Sequence, residues 1–369
     1  MAWNTDFVMK AAPRVELQLL SEFRTWREAV KVKKSTVIKL GTYLLLLGTV
    51  FGICYQLYET TGEKAGPKII LIPKKIDESN EFWSSVIAGA QVASKEYNVE
   101  LSLMAPETET DVEGQNRLIL EAAGKRPDAI LVSPCSYEET TSSIRQAVNQ
   151  GVKVVLIDSN INESLSIPLV ATDNVEIGRR LGEYMKELLP ENPKIGLVGH
   201  VKGSSTAIDR EKGIREGLGK EAEAIEEVVF CDSIYQEAYD VTLRLLERHP
   251  DINIIAGFNE YSSLGAASAV RDLGLKGKVK TFGIDNSVSQ IQLLESGVYQ
   301  ALAIQNPFNM GYLGIEEAVK RIEGEKTDLF LNSGSKLVTV GDIFTEENEK
   351  LLFPFLGSRA TKKEEINSQ

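Results

Sequence analysis

The sequence predicts an α/β protein: two doubly wound parallel-sheet lobes preceded by one transmembrane helix. Three observations predict it. From residue 68 onward, short β-branched runs alternate with amphipathic helical stretches, the pattern of parallel strands covered by helices on both faces. That plan then repeats in a second half of similar length. Ahead of both halves lies LGTYLLLLGTVFGICYQLY, residues 40–58, an uncharged stretch long enough to cross a bilayer.

Composition narrows the function classes. The 369 residues are 43% apolar and 25% charged, a balance that supports sizeable cores in two ordinary domains. The formal net charge of −12 argues against nucleic acid, because phosphate binding needs a basic face. Cys54, Cys135 and Cys231 are scattered without metal-ligand spacing, and His200 and His249 are the only histidines. No metal or cofactor is therefore expected.

In chain order, residues 1–39 come first and are expected in the cytoplasm. Lys31, Lys33, Lys34 and Lys39 precede the apolar stretch while Glu59 and Glu63 follow it, which puts the remainder of the chain outside. No small-x-small cleavage site follows, and Phe51-Gly52-Ile53 before Cys54 does not fit a lipoprotein signal, so 40–58 is read as an uncleaved anchor. Residues 1–34 carry no motif; a short cytoplasmic helix and a start codon placed too early are both open. Residues 59–67, including TTGEKAGP, form a polar linker. Fully extended, it reaches less than ~30 Å, which keeps the outer region close to the membrane.

The first half has strand patterns at KIILIP, VELSLMAP, DAILVSP, KVVLIDS and PLVATD, separated by helical patterns such as FWSSVIAGAQVASKEY and TTSSIRQAVNQG. The second half has KIGLVGH, EEVVFCDS, INIIAGFNE, KTFGIDNS and ALAIQNP. Ligands of open parallel sheets bind beyond the carboxyl ends of the strands. Those ends are polar here: Asp158 after VVLI, Arg210 in the helix after GLVGHVKGSS, Asn259 after IIAGF, Asp285 after TFGI and Gln305 after ALAI. Carboxylates accept from hydroxyls, arginine offers a donor fork and amides do both, so the set suits a hydroxyl-rich ligand. SNEFW, residues 79–83, puts Asn80 beside Phe82 and Trp83 just after the first strand. Two readings of the rings stand: planes for the apolar face of a sugar, or core residues of the first helix.

From about residue 68 to 345 the chain resembles the periplasmic sugar-binding proteins of the ribose-binding type, the type I solute-binding fold. SNEFW, LIDSN, ATDNVEIGRRLGEY, GSSTAIDREKG, HPDINIIAGFNEYSSLGA, FGIDNS and AIQNPFNMG carry the resemblance in this order and spacing. It implies ligand contacts at Asn80, Phe82, Trp83, Asp158, Arg210 with Gly213 three residues on, Asn259, Asp285 and Gln305. Two departures stand out. Ser159 occupies the place of an arginine that ribose binders have after the first aspartate, and Ser233 that of a second-lobe stacking ring, for which Tyr235 is a substitute. The loop PKKIDESNEFW is longer than in ribose binders and brings Lys74 and Asp77 near the site. The resemblance also implies lobe crossings near Thr172, Asn306 and Lys336. Lobe one would hold 68–172 and 306–336, lobe two 173–305 and 337–345, and 346–369 would be a tail. Asp173 and Asn174 read as a helix cap and hinge.

Enzyme readings find little. GxGxxG is absent, HVKGSS has the wrong order for a phosphate loop, and YSSLG lacks the leading glycine of a nucleophile elbow. Asp158 and Asp285 as a sugar-hydrolysing pair is the weakest alternative, since the resemblance sets them on opposite lobes. What remains is binding of a monosaccharide or related polyol. The partner is either a sensor histidine kinase, as the resemblance to membrane-anchored clostridial xylose sensors implies, or the permease of an ABC importer.

Overall fold

The apolar stretch is one helix. In the computed structural model, which describes residues 21–26, 34–61, 66–345 and 347–348, helix α1 spans Lys34–Thr61, extending beyond 40–58 at both ends. Its segment Thr36–Ile53 is long and apolar enough to cross a membrane. The chain divides into two units, 1–64 and 65–369. Most of the expected N-terminal segment and of the tail 346–369 lies outside the described residues.

The second unit holds two six-stranded sheets. In the first, β1 (Lys68–Ile72), β2 (Glu100–Leu103), β3 (Ala129–Val132), β4 (Lys153–Ile157), β5 (Leu169–Ala171) and β11 (Phe330–Asn332) run parallel in the order β11-β5-β4-β3-β1-β2. The second contains β6 (Ile195–Gly199), β7 (Ile225–Phe230), β8 (Ile254–Gly257), β9 (Lys280–Ile284), β10 (Tyr299–Gln305) and β12 (Ser335–Thr339), in the order β12-β10-β9-β8-β6-β7. Only β12 is antiparallel to its neighbour in that sheet. The inner strands read as unbroken apolar runs because both faces are covered. On β1, Ile69 and Leu71 enter the core on one face, Ile70 and Ile72 that on the other.

The chain passes between the sheets three times: at 172–173 before helix α5 (Asn174–Glu187), at Asn306 before helix α10 (Pro307–Glu323), and at Ser333-Gly334 between β11 and β12. The last passage precedes the expected one. Lys336 is already paired with Ile304 in the second sheet, because β12 forms its edge. Helix α10 returns to the first lobe, where Gly314 lies against Leu131 and Ile157.

Glycines set how closely the helices of each lobe approach. Helix α5 packs on helix α6 (Ser205–Leu218) through Gly178 and Gly182 on one side and Gly213 and Gly217 on the other. A Cβ on Gly213 would stand 2.1 Å from the Val175 carbonyl and 2.7 Å from the Arg179 amide. Backbone cannot yield as a side-chain tip can, so the glycine three residues after Arg210 fixes the seat of the helix that carries that arginine. Gly213→Ala is expected to destabilise the unit by about 1–3 kcal/mol, the usual cost of overpacking. Urea unfolding of residues 65–369 measures it; unchanged stability would mean that the two helices part freely.

Candidate functional site

Strand order decides where the site forms. β1 lies between β2 and β3, and β6 between β7 and β8, so the connections leave those strands in opposite directions and open a crevice at each carboxyl end. The two crevices face each other across a tight cavity of about 20 Å3. The first lobe contributes Lys74, Asn80, Phe82, Trp83, Glu109 and Asp158; the second contributes His200, Thr206, Arg210, Asn259, Asp285 and Gln305.

Local backbone aims these groups. Asp158 and Asp285 occupy matching strand ends, and both have left-handed backbone, φ 62° and 83°. Aspartate tolerates that region better than most residues, and the kink turns its carboxylate off the strand line. Asn80 caps helix α2 (Glu81–Glu96), its Oδ1 accepting from the Trp83 amide. Asn259 caps α8 (Glu260–Asp272) in a capping box with Ser262. Each cap therefore presents its amide at a helix start beside the cavity.

The two aspartates differ in charge environment. Lys74 Nζ is 3.0 Å from Asp158 Oδ2, with both side chains almost fully buried. Ser133 and Ser159 donate to the same oxygen, so Oδ1 is left for the cavity. Burial would raise this carboxyl, but Lys74, then Arg210, outweigh it and hold it below the usual range. At Asp285, burial wins over Arg210 and Gln305, and the carboxyl is raised. Its Oδ2 accepts from the Glu260 amide and its Oδ1 from Gln305 Nε2. Arg210 is buried, its Nε donating to Asn174 Oδ1 at 2.8 Å and its Nη1 to the Phe258 carbonyl at 2.5 Å. The Oε1 of Gln305 is buried without a partner.

The sequence of residues 69–326 matches the family model of the periplasmic binding protein domain. The chain belongs to that family. Within it the relatives are of the ribose-binding type. The chain is 27% identical over 277 residues to the D-ribose/D-allose-binding protein of Pseudomonas aeruginosa, covering 73% of this chain and 86% of that one. The crystal structure of a sugar transporter from Clostridium phytofermentans is 42% identical, with TM-score 0.71, over 74% of this chain and 99% of that one. A carbohydrate transporter solute-binding protein from Agrobacterium radiobacter, solved with D-arabinose, is 25% identical with TM-score 0.73, over 79% and 100%.

The lobes of this periplasmic binding protein stand in contact across the cleft. At the rim, Glu260 of the second lobe accepts from the amides of Glu81 and Phe82 at the start of α2, at 3.4 and 3.1 Å. Glu81 in turn accepts from the Val288 amide at the start of α9 (Val288–Glu295). Each carboxylate thus lies on the positive end of a helix from the opposite lobe. Tyr261 donates to Asp77 at 3.0 Å. Deeper, Ser233 donates to Glu109, and the Asn160 amide to Ser205.

All eight residues expected to contact ligand line the one cavity, and so does Lys74. Trp83 joins both readings of the rings: it is 3% exposed, packs in the first-lobe core and still borders the cavity. Phe82 meets it edge-on with centroids 5.0 Å apart. The other three candidates stand elsewhere. Asp77 is at the rim; burial would raise it, but Lys75, Ser79 and Tyr261 hold it well below the usual range. Ser159 is buried behind Asp158 and donates to it, while the cation facing that aspartate comes from Lys74. Tyr235 is 40% exposed and donates to Ser268, because it begins α7 (Tyr235–Arg248) with its ring turned from the cavity. Asp173 caps α5, and Asn174 supports Arg210.

Sequence reasoning missed Glu109, His200 and Thr206 at the cavity and Glu260 at the rim. His200 ends the run KIGLVGH, so the strand-end rule applied to it unused. Burial, then Arg210 and Lys74, hold its imidazole well below the usual value, so it is neutral.

The contact between the lobes at Glu260 is expected to depend on pH. Burial, then the Asp285 carboxylate, push it from its ordinary 4.5 up to about 8, against the two amide hydrogen bonds; Glu81 faces it too. With the lobes apart, water restores the ordinary value. Protonation thus favours closure: the contribution is complete below 4.5 and is lost as pH rises through about 8. The closed fraction, read by small-angle scattering, is expected to fall between those limits, and Glu260→Gln to flatten the profile. A wild-type profile already flat would show that the carboxyl does not titrate on closure.

Proposed function

We propose that the protein is an extracytoplasmic monosaccharide-binding protein, held to the membrane by α1, that closes on its ligand and reports occupancy to a membrane partner such as a sensor histidine kinase. The observation that carries the binding step is the lining of the cavity. Asp158 Oδ1 and Gln305 Oε1 offer acceptors, Arg210 a donor fork, and Asn80 and Asn259 amides, beside the rings of Phe82 and Trp83. A polyhydroxylated ring with apolar C–H faces complements all of them. Relatives named for D-ribose, D-allose and D-arabinose support a neutral monosaccharide.

We read the site as binding without turnover. Asp285 is fixed through both oxygens, by the Glu260 amide and by Gln305. Asp158 is tied to a buried lysine and two serines, which suits a fixed acceptor.

The anchor favours the sensor. A spanning helix that ends at Thr61, seven residues before β1 begins at Lys68, would keep the domain at high effective concentration near one partner. The importer reading rests on the relatives, among which are ribose import binding proteins. Partner capture from detergent-solubilised membranes separates the two: a kinase supports the first reading, a permease the second. Recovery of the protein in the soluble fraction, cut after residue 58, would remove the anchor from either.

Asp285→Asn tests the clamp. The amide keeps the shape, accepts from the Glu260 amide and can pair with a turned Gln305, so the fold should hold. Loss of a charged acceptor is expected to weaken sugar binding by about 1.5–3 kcal/mol, roughly tenfold or more. Titration calorimetry with D-ribose, D-allose and D-arabinose measures it. Equal affinity of mutant and wild type would take Asp285 out of the site.

A further inference from the structure

Glu109 lies on the loop between β2 and α3 (Val112–Gly124), is 6% exposed, and lines the cavity. Its two oxygens face opposite lobes. Oε1 accepts from Trp83 Nε1 at 2.8 Å within the first lobe, and Oε2 accepts from Ser233 Oγ at 2.7 Å in the second. Ser233 Oγ in turn accepts from Asn259 Nδ2 at 3.3 Å. Ser233 has left-handed backbone, φ 54°, as has Asp232 before it, so the turn that presents the hydroxyl is held in an uncommon conformation. The carboxylate is therefore oriented by a ring on one side and by a serine hydroxyl of the opposite lobe on the other.

A carboxylate has about four acceptor positions, and two are filled by Trp83 and Ser233. The others belong to the cavity. We propose that Glu109 is a specificity-determining residue, which selects sugars presenting a hydrogen-bond donor beside the Trp83 ring and is set in place only when the lobes are closed. This rests on the sugar-binding function proposed above. A hydroxyl at that point completes the carboxylate, whereas a deoxy carbon leaves a buried acceptor unpaired. Phosphate or carboxylate groups on the sugar would meet Glu109, Asp158 and Asp285 together.

The test uses the full chain in detergent and titration calorimetry. D-ribose, D-allose and D-arabinose are the probes, followed by the complete monodeoxy series of the tightest. Wild type should lose at least about tenfold in affinity for one member of that series through this contact. Glu109→Gln keeps an acceptor for Trp83 and a donor for Ser233 Oγ, so it preserves the fold. It should weaken the parent sugar while leaving that one deoxy analogue unchanged, closing the gap between them. Ser233→Ala should weaken parent and analogue alike, since it loosens only the closed arrangement. A gap of equal size in wild type and Glu109→Gln at every position would overturn the inference while the sugar-binding function stands. So would a wild type indifferent to every deoxy position. Failure of all three parent sugars to bind would overturn the proposed function, and this inference with it.

Discussion

A lysine and an aspartate share the floor of the cleft, 3.0 Å apart and out of contact with water. Two charges buried there are tolerable only together, since stripping one partner from such a pair costs about 3–5 kcal/mol. The pair constrains its surroundings. It gathers Ser133 and Ser159 onto the same carboxylate oxygen and leaves the other to the cavity. Burial, then Arg210 and the lysine of the pair, hold the His200 imidazole well below its usual value. The pair also separates two aspartates whose backbone positions match: Asp158 is held low beside its lysine, while Asp285 is raised by burial. The lobes repeat one architecture, but their charges do not, so the two sides of the cavity are electrostatically unlike.

Closure follows a different principle at the rim. There, carboxylates of one lobe meet helix starts of the other, Glu260 on α2 and Glu81 on α9. These contacts need no sugar. They lower the free energy that a ligand must supply to populate the closed state. Desolvating Glu260 beside Asp285 works against them, so the latch is weak by construction.

The strand-end rule explains what was legible in the sequence. A polar residue that ends a β-branched run in a parallel sheet has one place to go, and Asp158, Asn259, Asp285 and Gln305 all go there. Lys74 was legible for a different reason, the length of its loop beside that of ribose binders. Glu109 was not, because VELSLMAP runs into PETET, and nothing local says which of two glutamates and two threonines turns inward. Tyr235 misled because nearness in sequence to Ser233 carried no information about direction: a helix begins between them and turns the ring away. The passage near Lys336 was misplaced by a few residues because an edge strand starts as soon as pairing is available.

Hydrogen bonds run from the site toward a passage between the lobes. Arg210 is held by Asn174, whose Nδ2 donates to the carbonyl of Thr172, at the first passage between lobes. The Thr172 hydroxyl is 3.4 Å from that of Ser333, at the third. Gln305 immediately precedes the second passage and donates to Asp285. Arg210 is thus bonded to the first passage through Asn174, and Gln305 adjoins the second in sequence. The glycine seam beneath Arg210 is close-packed against backbone, so α5 and α6 move as one body. A ligand that held Arg210 and Gln305 would contact two second-lobe residues tied to the passages, and would bridge the cleft only by also reaching a first-lobe residue such as Asp158.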